Sequence, residues 1–357
     1  MGTNASKLLE MVLEKGASDL HLVVGVSPTL RINTVLKTVP NTAPSTIEDV
    51  NYFLSQILSK DHLDIFELNK EMDFSVALEN KARFRVNAFY QKGYPSVALR
   101  YIPTTVPTLE QLNLPSVINR LCELRQGLVL VVGPTGNGKS TTIAAMLEHI
   151  NTTRAEHIIT IEDPIEYVFT NKKSLIEQRE MYLDTHSWDV ALRSALRQDP
   201  NVVFLGEMRD FETMMSAMQI AETGHLVVTT LHTNSAAQTI DRIIASFPEA
   251  KHEQIKHQFA QIFEAVISQR LIPSVEKGMV PAVELLLATD AVRNLIREGK
   301  SHLIDNVIST SAQFGMFTLE YSLAELIAKG WIELDDALKH STRPDEVRRL
   351  IKEAKRT

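Results

Sequence analysis

The sequence predicts an α/β protein: a small α+β domain, then a parallel-sheet core, then a helical C-terminal region. Three observations carry that expectation. Short runs before residue 102 alternate apolar with polar side chains, continuous apolar runs between 128 and 231 are separated by helical segments, and helical stripes close the chain. Alternation marks an antiparallel sheet with one wet face, whereas continuous apolar strands between helices mark a parallel sheet covered on both faces.

At the start, Leu8, Leu9, Val12 and Leu13 make a helical stripe that Gly16 closes, and Asp19 to Val24 changes to strand composition. An amphipathic helix is expected from about Ser45 to Ser59. Met72, Phe74, Val76 and Leu78 alternate with polar or small residues, as do Phe84, Val86 and Ala88 with Arg83, Arg85 and Asn87. Val97 to Ile102 pairs with them. Residues 1 to 102 are therefore one domain, and 103 to 115, opening Pro103-Thr104-Thr105-Val106-Pro107, form a proline-stiffened linker.

A core follows over residues 116 to 288. Strands are expected at 128 to 132, 157 to 161, 202 to 205 and 226 to 231, and helices at 140 to 150, 187 to 198 and 211 to 222. Beyond Thr233 the pattern is mostly helical, broken by a hairpin in which Glu276-Lys277-Gly278 separates Leu271-Ile272 from the run 280 to 287. Residues 289 to 357 form the helical C-terminal region. Within it Val292, Leu295 and Ile296 form an apolar stripe, with Asp290 as the expected N-cap, Gly299 as the stop, and Arg293, Arg297 and Lys300 on another face.

Chemistry enters at the end of the first core strand. Gly133, Pro134, Thr135, Gly136, Asn137, Gly138, Lys139, Ser140 and Thr141 fit the phosphate-loop spacing, between an apolar strand and a helix. The glycines let backbone N–H groups converge on phosphates, and the helix adds its positive dipole end. Lys139 would reach the β- and γ-phosphates and the Ser140 hydroxyl would ligate Mg²⁺. This is a nucleotide site, with ATP and Mg²⁺ as its expected cofactors.

Ligands of such sheets bind beyond the carboxyl ends of the strands, so residues there are the next candidates. Glu207 follows strand 202 to 205 and is placed to hold the Mg²⁺ shell through water or to orient the attacking water. Glu162 and Glu166 belong to the acidic stretch after strand 157 to 161, which would place water and metal beside the γ-phosphate or merely cap the next element. His225 precedes the fourth strand and His232 ends it; each is a candidate phosphate contact or sensor, or a hydrogen-bonded structural residue. Arg83 and Arg85 share one strand face, with Arg100 on the next strand.

Composition narrows the possibilities. The 357 residues suffice for two domains with separate cores, and 44 acidic against 37 basic residues give no global footprint for nucleic acid. Cys122 is the one cysteine, which excludes an intrachain disulfide and a cysteine-based zinc cluster. No apolar run approaches the roughly 18 residues of a spanning helix, and no secretory leader pattern opens the chain, so the cytoplasm is expected.

Four segments in order resemble the secretion ATPase superfamily: the phosphate loop; an acidic box, Thr160-Ile161-Glu162-Asp163-Pro164-Ile165-Glu166; an atypical second nucleotide motif, Phe204-Leu205-Gly206-Glu207; and a histidine box from Gly224-His225 to Leu231-His232-Thr233. Ala291 to Glu298 is similar to a C-terminal box of the type IV pilus retraction motors. Pilus-extension and type II secretion ATPases usually carry a four-cysteine zinc insertion, which this chain cannot build. The resemblance implies a PAS-like N-terminal domain, a RecA-like P-loop ATPase core, and a homo-hexameric ATP hydrolase that retracts pili. It further implies Arg83, Arg85 and Arg100 as charge-compensating arginines, cytoplasmic placement at the inner membrane, a membrane platform partner, and contact with a paralogous retraction or extension ATPase. Phe317 where Gln is usual, and a tail from Leu338 to Ile351 of the accessory type, leave main and accessory motors both open. A DNA-translocating ATPase and a non-catalytic, nucleotide-gated adaptor of another ring are the competing readings; the acidic balance argues against nucleic acid as a partner.

Overall fold

Alternation and continuity of apolar residues sort the chain into two kinds of sheet, and the fold follows that division. The computed structural model describes residues 4–354 except Thr34, Glu79, Asn80, Lys81, Pro103, Thr104 and Lys277, so the start of the expected linker and the centre of the expected hairpin turn lie outside the described residues. Two compact units result: one gathers residues 1–105 with 163–168 and 182–184, the other the remainder.

In the first unit, β1 (Asp19–Val23), β2 (Thr29–Ile32), β3 (Val35–Thr38), β4 (Glu71–Leu78), β5 (Ala82–Gln91) and β6 (Tyr94–Ile102) form an antiparallel sheet in the order β3-β2-β1-β6-β5-β4. Phe84, Val86 and Ala88 of β5 are buried under α1 (Ala5–Glu14), α2 (Ile47–Ile57) and α3 (Lys60–Asn69), whose Leu9, Phe53 and Phe66 complete the core. The helix expected from about Ser45 to Ser59 is α2, and a further helix, α3, follows it at once. Thr46 caps α2 through a reciprocal box with Asp49, α2 stops at Leu58 in extended backbone, and Ser59 starts α3.

The second unit opens with α4 (Val117–Leu121) and β7 (Gly127–Val132), followed by α5 (Lys139–Thr153), β8 (His157–Glu162), β9 (Leu175–Glu180), α6 (Trp188–Ala195), β10 (Val202–Leu205), α7 (Phe211–Glu222), β11 (Leu226–Leu231), α8 (Ala236–Ala245) and α9 (His252–Ile262). Next come β12 (Phe263–Pro273), β13 (Met279–Leu287), α10 (Asp290–Arg297), α11 (Ile304–Thr310), α12 (Leu319–Ala328), α13 (Leu334–His340) and α14 (Pro344–Ala354). The sheet order is β13-β12-β7-β11-β10-β8-β9, parallel except at β13. Alternate residues of β7 face opposite ways: Leu128, Leu130 and Val132 join the core over α6 to α9, while Val129 and Val131 join the one containing Ile143 and Leu147 of α5. A smaller cluster packs Ile272, Val280 and Ala282 against Leu319, Leu323 and Val347.

The mostly helical reading beyond Thr233 is corrected by β12, which reaches back to Phe263 and pairs in parallel with β7. Its register slips at Glu264, between Phe263 and Ala265. Among the described residues no helix is long and apolar enough to cross a membrane.

Candidate active site

The all-apolar β7 is buried along its whole length, so its first useful polar groups lie where the strand ends. There the backbone turns through Gly133, Gly136 and Gly138, all at positive φ. A Cβ at Gly133 would stand 2.3 Å from the Gln269 carbonyl oxygen, so only glycine lets the loop pass that close to β12. Gly138 caps α5 in left-handed backbone, so the loop leads straight into the start of α5, the positive end of its dipole.

Buried Gln269 braces this loop from β12. Its Nε2 donates to the Asn137 carbonyl at 2.8 Å while its Oε1 accepts from Thr142 Oγ1 at 2.7 Å. The Asn137 side chain answers by accepting the Leu271 amide at 2.8 Å and donating to the Pro134 and Thr135 carbonyls. Asn137 thus shapes the loop with its side chain. Gln269 was not among the expected site residues; its signal was a polar pair, Ser268-Gln269, inside an apolar strand run.

Lys139 folds back so that Nζ donates to the Gly133 carbonyl at 2.8 Å and the Pro134 carbonyl at 3.1 Å. His232, at the end of β11, has Nδ1 3.4 Å from that ammonium and 3.5 Å from Thr135 Oγ1, and Nε2 3.1 Å from Glu207 Oε2. An ammonium is only a donor and a carboxylate only an acceptor, so these neighbours assign the proton of a neutral ring to Nε2. Arg209 pairs with the other oxygen of Glu207. The structure therefore brings together three expected residues, Lys139, Glu207 and His232, at the carboxyl edge of the sheet.

Glu162 ends β8, buried, and accepts from Thr160 Oγ1 at 2.6 Å and Gln178 Nε2 at 3.3 Å. Glu166 is exposed and belongs to the segment grouped with the first unit. His225 calls for a correction. It precedes β11, so the length of that strand puts it about 20 Å from the phosphate-loop edge, where it meets Thr223 Oγ1 and the Ile220 carbonyl, each at 3.0 Å. This chain does not bring His225 to its own phosphate loop.

On the first unit Arg31, Asp19, Arg100 and Arg85 stand opposite one another across β2, β1, β6 and β5. Arg100 Nε donates to Asp19 Oδ1 at 2.9 Å, and Arg31 Nε lies 3.5 Å from Oδ2. Burial opposes ionisation of Asp19, but hydrogen bonds from Ser18 and Arg100 and the charges of Arg100 and Arg31 outweigh it and hold the carboxyl below its usual range. Arg83 pairs with Ser75.

On α10 one cation of the basic face is held within the chain. Arg293 Nη1 donates to the carbonyls of Ala260 and Gln261 at 2.5 and 2.8 Å, and Nη2 to Glu264 at 2.8 Å, so this cation closes the end of α9. The N-cap is Thr289, whose hydroxyl accepts from the Val292 amide, rather than Asp290.

Residues 3–313 match the family model described as type II/IV secretion system protein. The chain belongs to this family. It is 44% identical over 340 residues to the type IV pilus retraction ATPase PilT of Pseudomonas aeruginosa, covering 95% of this chain and 98% of that one. It is 40% identical over 347 residues to the type IV pilus ATPase PilU of the same organism, covering 97% and 91%. Among solved structures, the crystal structure of the pilus retraction motor PilT with bound ADP matches with a TM-score of 0.90 at 43% identity, over 97% of this chain and 99% of that chain. The α/β architecture with two sheets is the one this family member has.

Proposed function

We propose that the chain is an ATP-hydrolysing motor for type IV pilus retraction, assembled as a homo-hexamer and acting on a membrane platform protein. What supports the reading most is near full-length similarity to PilT combined with a loop edge on which Lys139, His232 and Glu207 lie within reach of one another. PilT and PilU are matched at 44% and 40% identity, so the reading takes in a main and an accessory motor alike.

The residues fit Mg-ATP. Glycines at positive φ let the loop wrap tightly at the start of α5, and no group of three or more His, Cys, Asp or Glu among the described residues would hold a metal alone. A divalent cation would then arrive with the phosphates, as Mg²⁺ commonly does, with Ser140 offering its hydroxyl. When bound, Mg²⁺ supplies neutralisation of phosphate charge. Lys139 compensates the β- and γ-phosphates, and Glu207 orients the attacking water together with Glu162, the buried carboxylate that ends β8, or with Glu166. His232 bridges Lys139 and Glu207, so departure of the terminal phosphate alters the balance that Lys139 makes with its carbonyl partners. Arg83, Arg85 and Arg100 of a neighbouring copy add positive charge as the leaving group develops.

The test is ATP turnover by the purified chain together with its mass in solution. Turnover by a six-chain particle, and lost pilus retraction in cells lacking the chain, are expected. Nucleotide binding without turnover would favour the adaptor reading, and stimulation by DNA the translocase.

A further inference from the structure

Far from the phosphate loop in sequence, β13 buries a carboxylate that none of the steps above uses. Glu284 is 5% exposed, and its Oε1 accepts the Ala236 amide at 2.8 Å. Ala236 opens α8, four residues after His232, and its N–H is one of the amides that a helix start leaves without an internal partner. The turn between them is fastened elsewhere too. Ser268 Oγ of β12 donates to the Asn234 carbonyl at 3.2 Å, the hydroxyls of Thr233 and Thr239 meet at 2.6 Å, and Ser235 Oγ accepts from the Gln238 amide.

Charged groups face Glu284 from three sides: Asp305 of α11, Glu320 of α12, and Arg343 just before α14. Arg343 Nη2 donates to fully buried Glu320 at 2.8 Å and Nη1 lies 3.8 Å from Asp305. Burial, aided by Asp305 and Glu320 and opposed by the Ala236 amide and Arg343, pushes the Glu284 carboxyl up to about 7. A buried acid in so costly a place is tolerated where its hydrogen bond fixes something.

We propose that Glu284 is a positioning residue for ATP turnover: by holding the Ala236 amide it fixes the turn that sets His232 against Lys139 and Glu207. It touches no nucleotide and acts through His232. The proposal rests on the ATPase reading for its effect on rate, though not for its effect on the turn.

In the purified full-length chain, Glu284→Ala is expected to lower kcat about 10- to 10²-fold, the range that a displacement of about 1 Å costs, with little change in KM for Mg-ATP. Hydrogen exchange in the peptide spanning residues 232–238 should quicken. Glu284→Gln keeps an oxygen in place and should restore both rate and protection, and Glu284→Asp, one methylene short, should resemble the alanine variant if that one fails to fold. On a His232→Ala background, Glu284→Ala should cost nothing further in kcat, whereas a mere packing defect would add its own loss. Unchanged exchange in Glu284→Ala, or multiplying effects on kcat, would overturn the proposal. A wild-type chain without turnover would remove the ATPase reading alone, and the exchange measurement would still decide whether Glu284 holds the turn.

Discussion

The two sheets put their polar groups in opposite places. In the parallel sheet every residue of β7, β10 and β11 is buried, so its chemistry stands beyond the strand ends, in turns that Gln269 and Glu284 hold from neighbouring strands. In the antiparallel sheet Phe84, Val86 and Ala88 of β5 are buried while Arg85 is exposed and in register with Arg100, so its charge lies across a face and is oriented by cross-strand partners such as Asp19. A strand-end group depends on a loop built by distant residues, whereas a face group depends on its register. The two kinds of site should fail in different ways when mutated.

The largest effect expected is on the face. Arg100→Ala should lower turnover about 10³-fold, as loss of an arginine finger does, with the fold intact. Mixed with Lys139→Ala chains, some assemblies should regain activity, because each intact centre would draw its loop and its arginine from different copies. No recovery at any mixing ratio would confine the arginine to its own chain. At the strand end, Lys139→Ala should cost about 10²-fold or more in kcat, measured as steady-state ATP turnover with circular dichroism unchanged. Normal kcat would take Lys139 out of the site.

A smaller loss sharpens the contrast. Gln269→Ala removes the brace without touching phosphate, and about 10-fold weaker nucleotide binding is expected, from one to two lost hydrogen bonds of about 1 kcal/mol each. Equilibrium titration with a fluorescent ADP analogue would read it; unchanged affinity would make the loop self-supporting.

The smallest effects are in pH dependence, and the two sheets should differ in sign. With its pKa raised to about 7, Glu284 holds a proton in the folded chain that the unfolded chain releases above the ordinary 4.5, so its stabilising contribution is full at acid pH and lost as pH rises toward 7. Glu284→Gln should accordingly gain in melting temperature on the wild type as pH is raised through that window. Asp19, held below its ordinary 3.8, contributes stability above that pH and loses it on acidification, so the deficit of Asp19→Asn should shrink as pH falls through that region. Thermal melts of both variants across pH would test the pair, and parallel trends would refute it.

The parallel core was legible because its signals are local. Five apolar residues, a glycine spacing and a lysine-serine pair lie within 128 to 140, and the strand at 202 to 205 was bounded as observed. β9 escaped because Glu177, Gln178 and Arg179 of this edge strand give no apolar alternation. The early start of β12 escaped because α9 passes into it at Phe263 with no glycine or proline between them. Side-chain partners were the least legible part. Nothing near Arg293 in sequence announces the carbonyls of Ala260 and Gln261, and nothing near His232 announces Glu284. Such contacts are set by which strands the topology makes neighbours.

The double fastening of β12 has a mechanical consequence. Near one end, Gln269 and Leu271 are tied to Asn137 of the phosphate loop; near the other, Glu264 is tied to Arg293 of α10. From Glu264 to Leu271 an extended strand spans about 23 Å and resists stretching along its axis. It therefore ties Asn137 of the phosphate loop to Arg293 of α10 as a bar would. A pull along that axis at either anchor meets an extended strand rather than a slack loop.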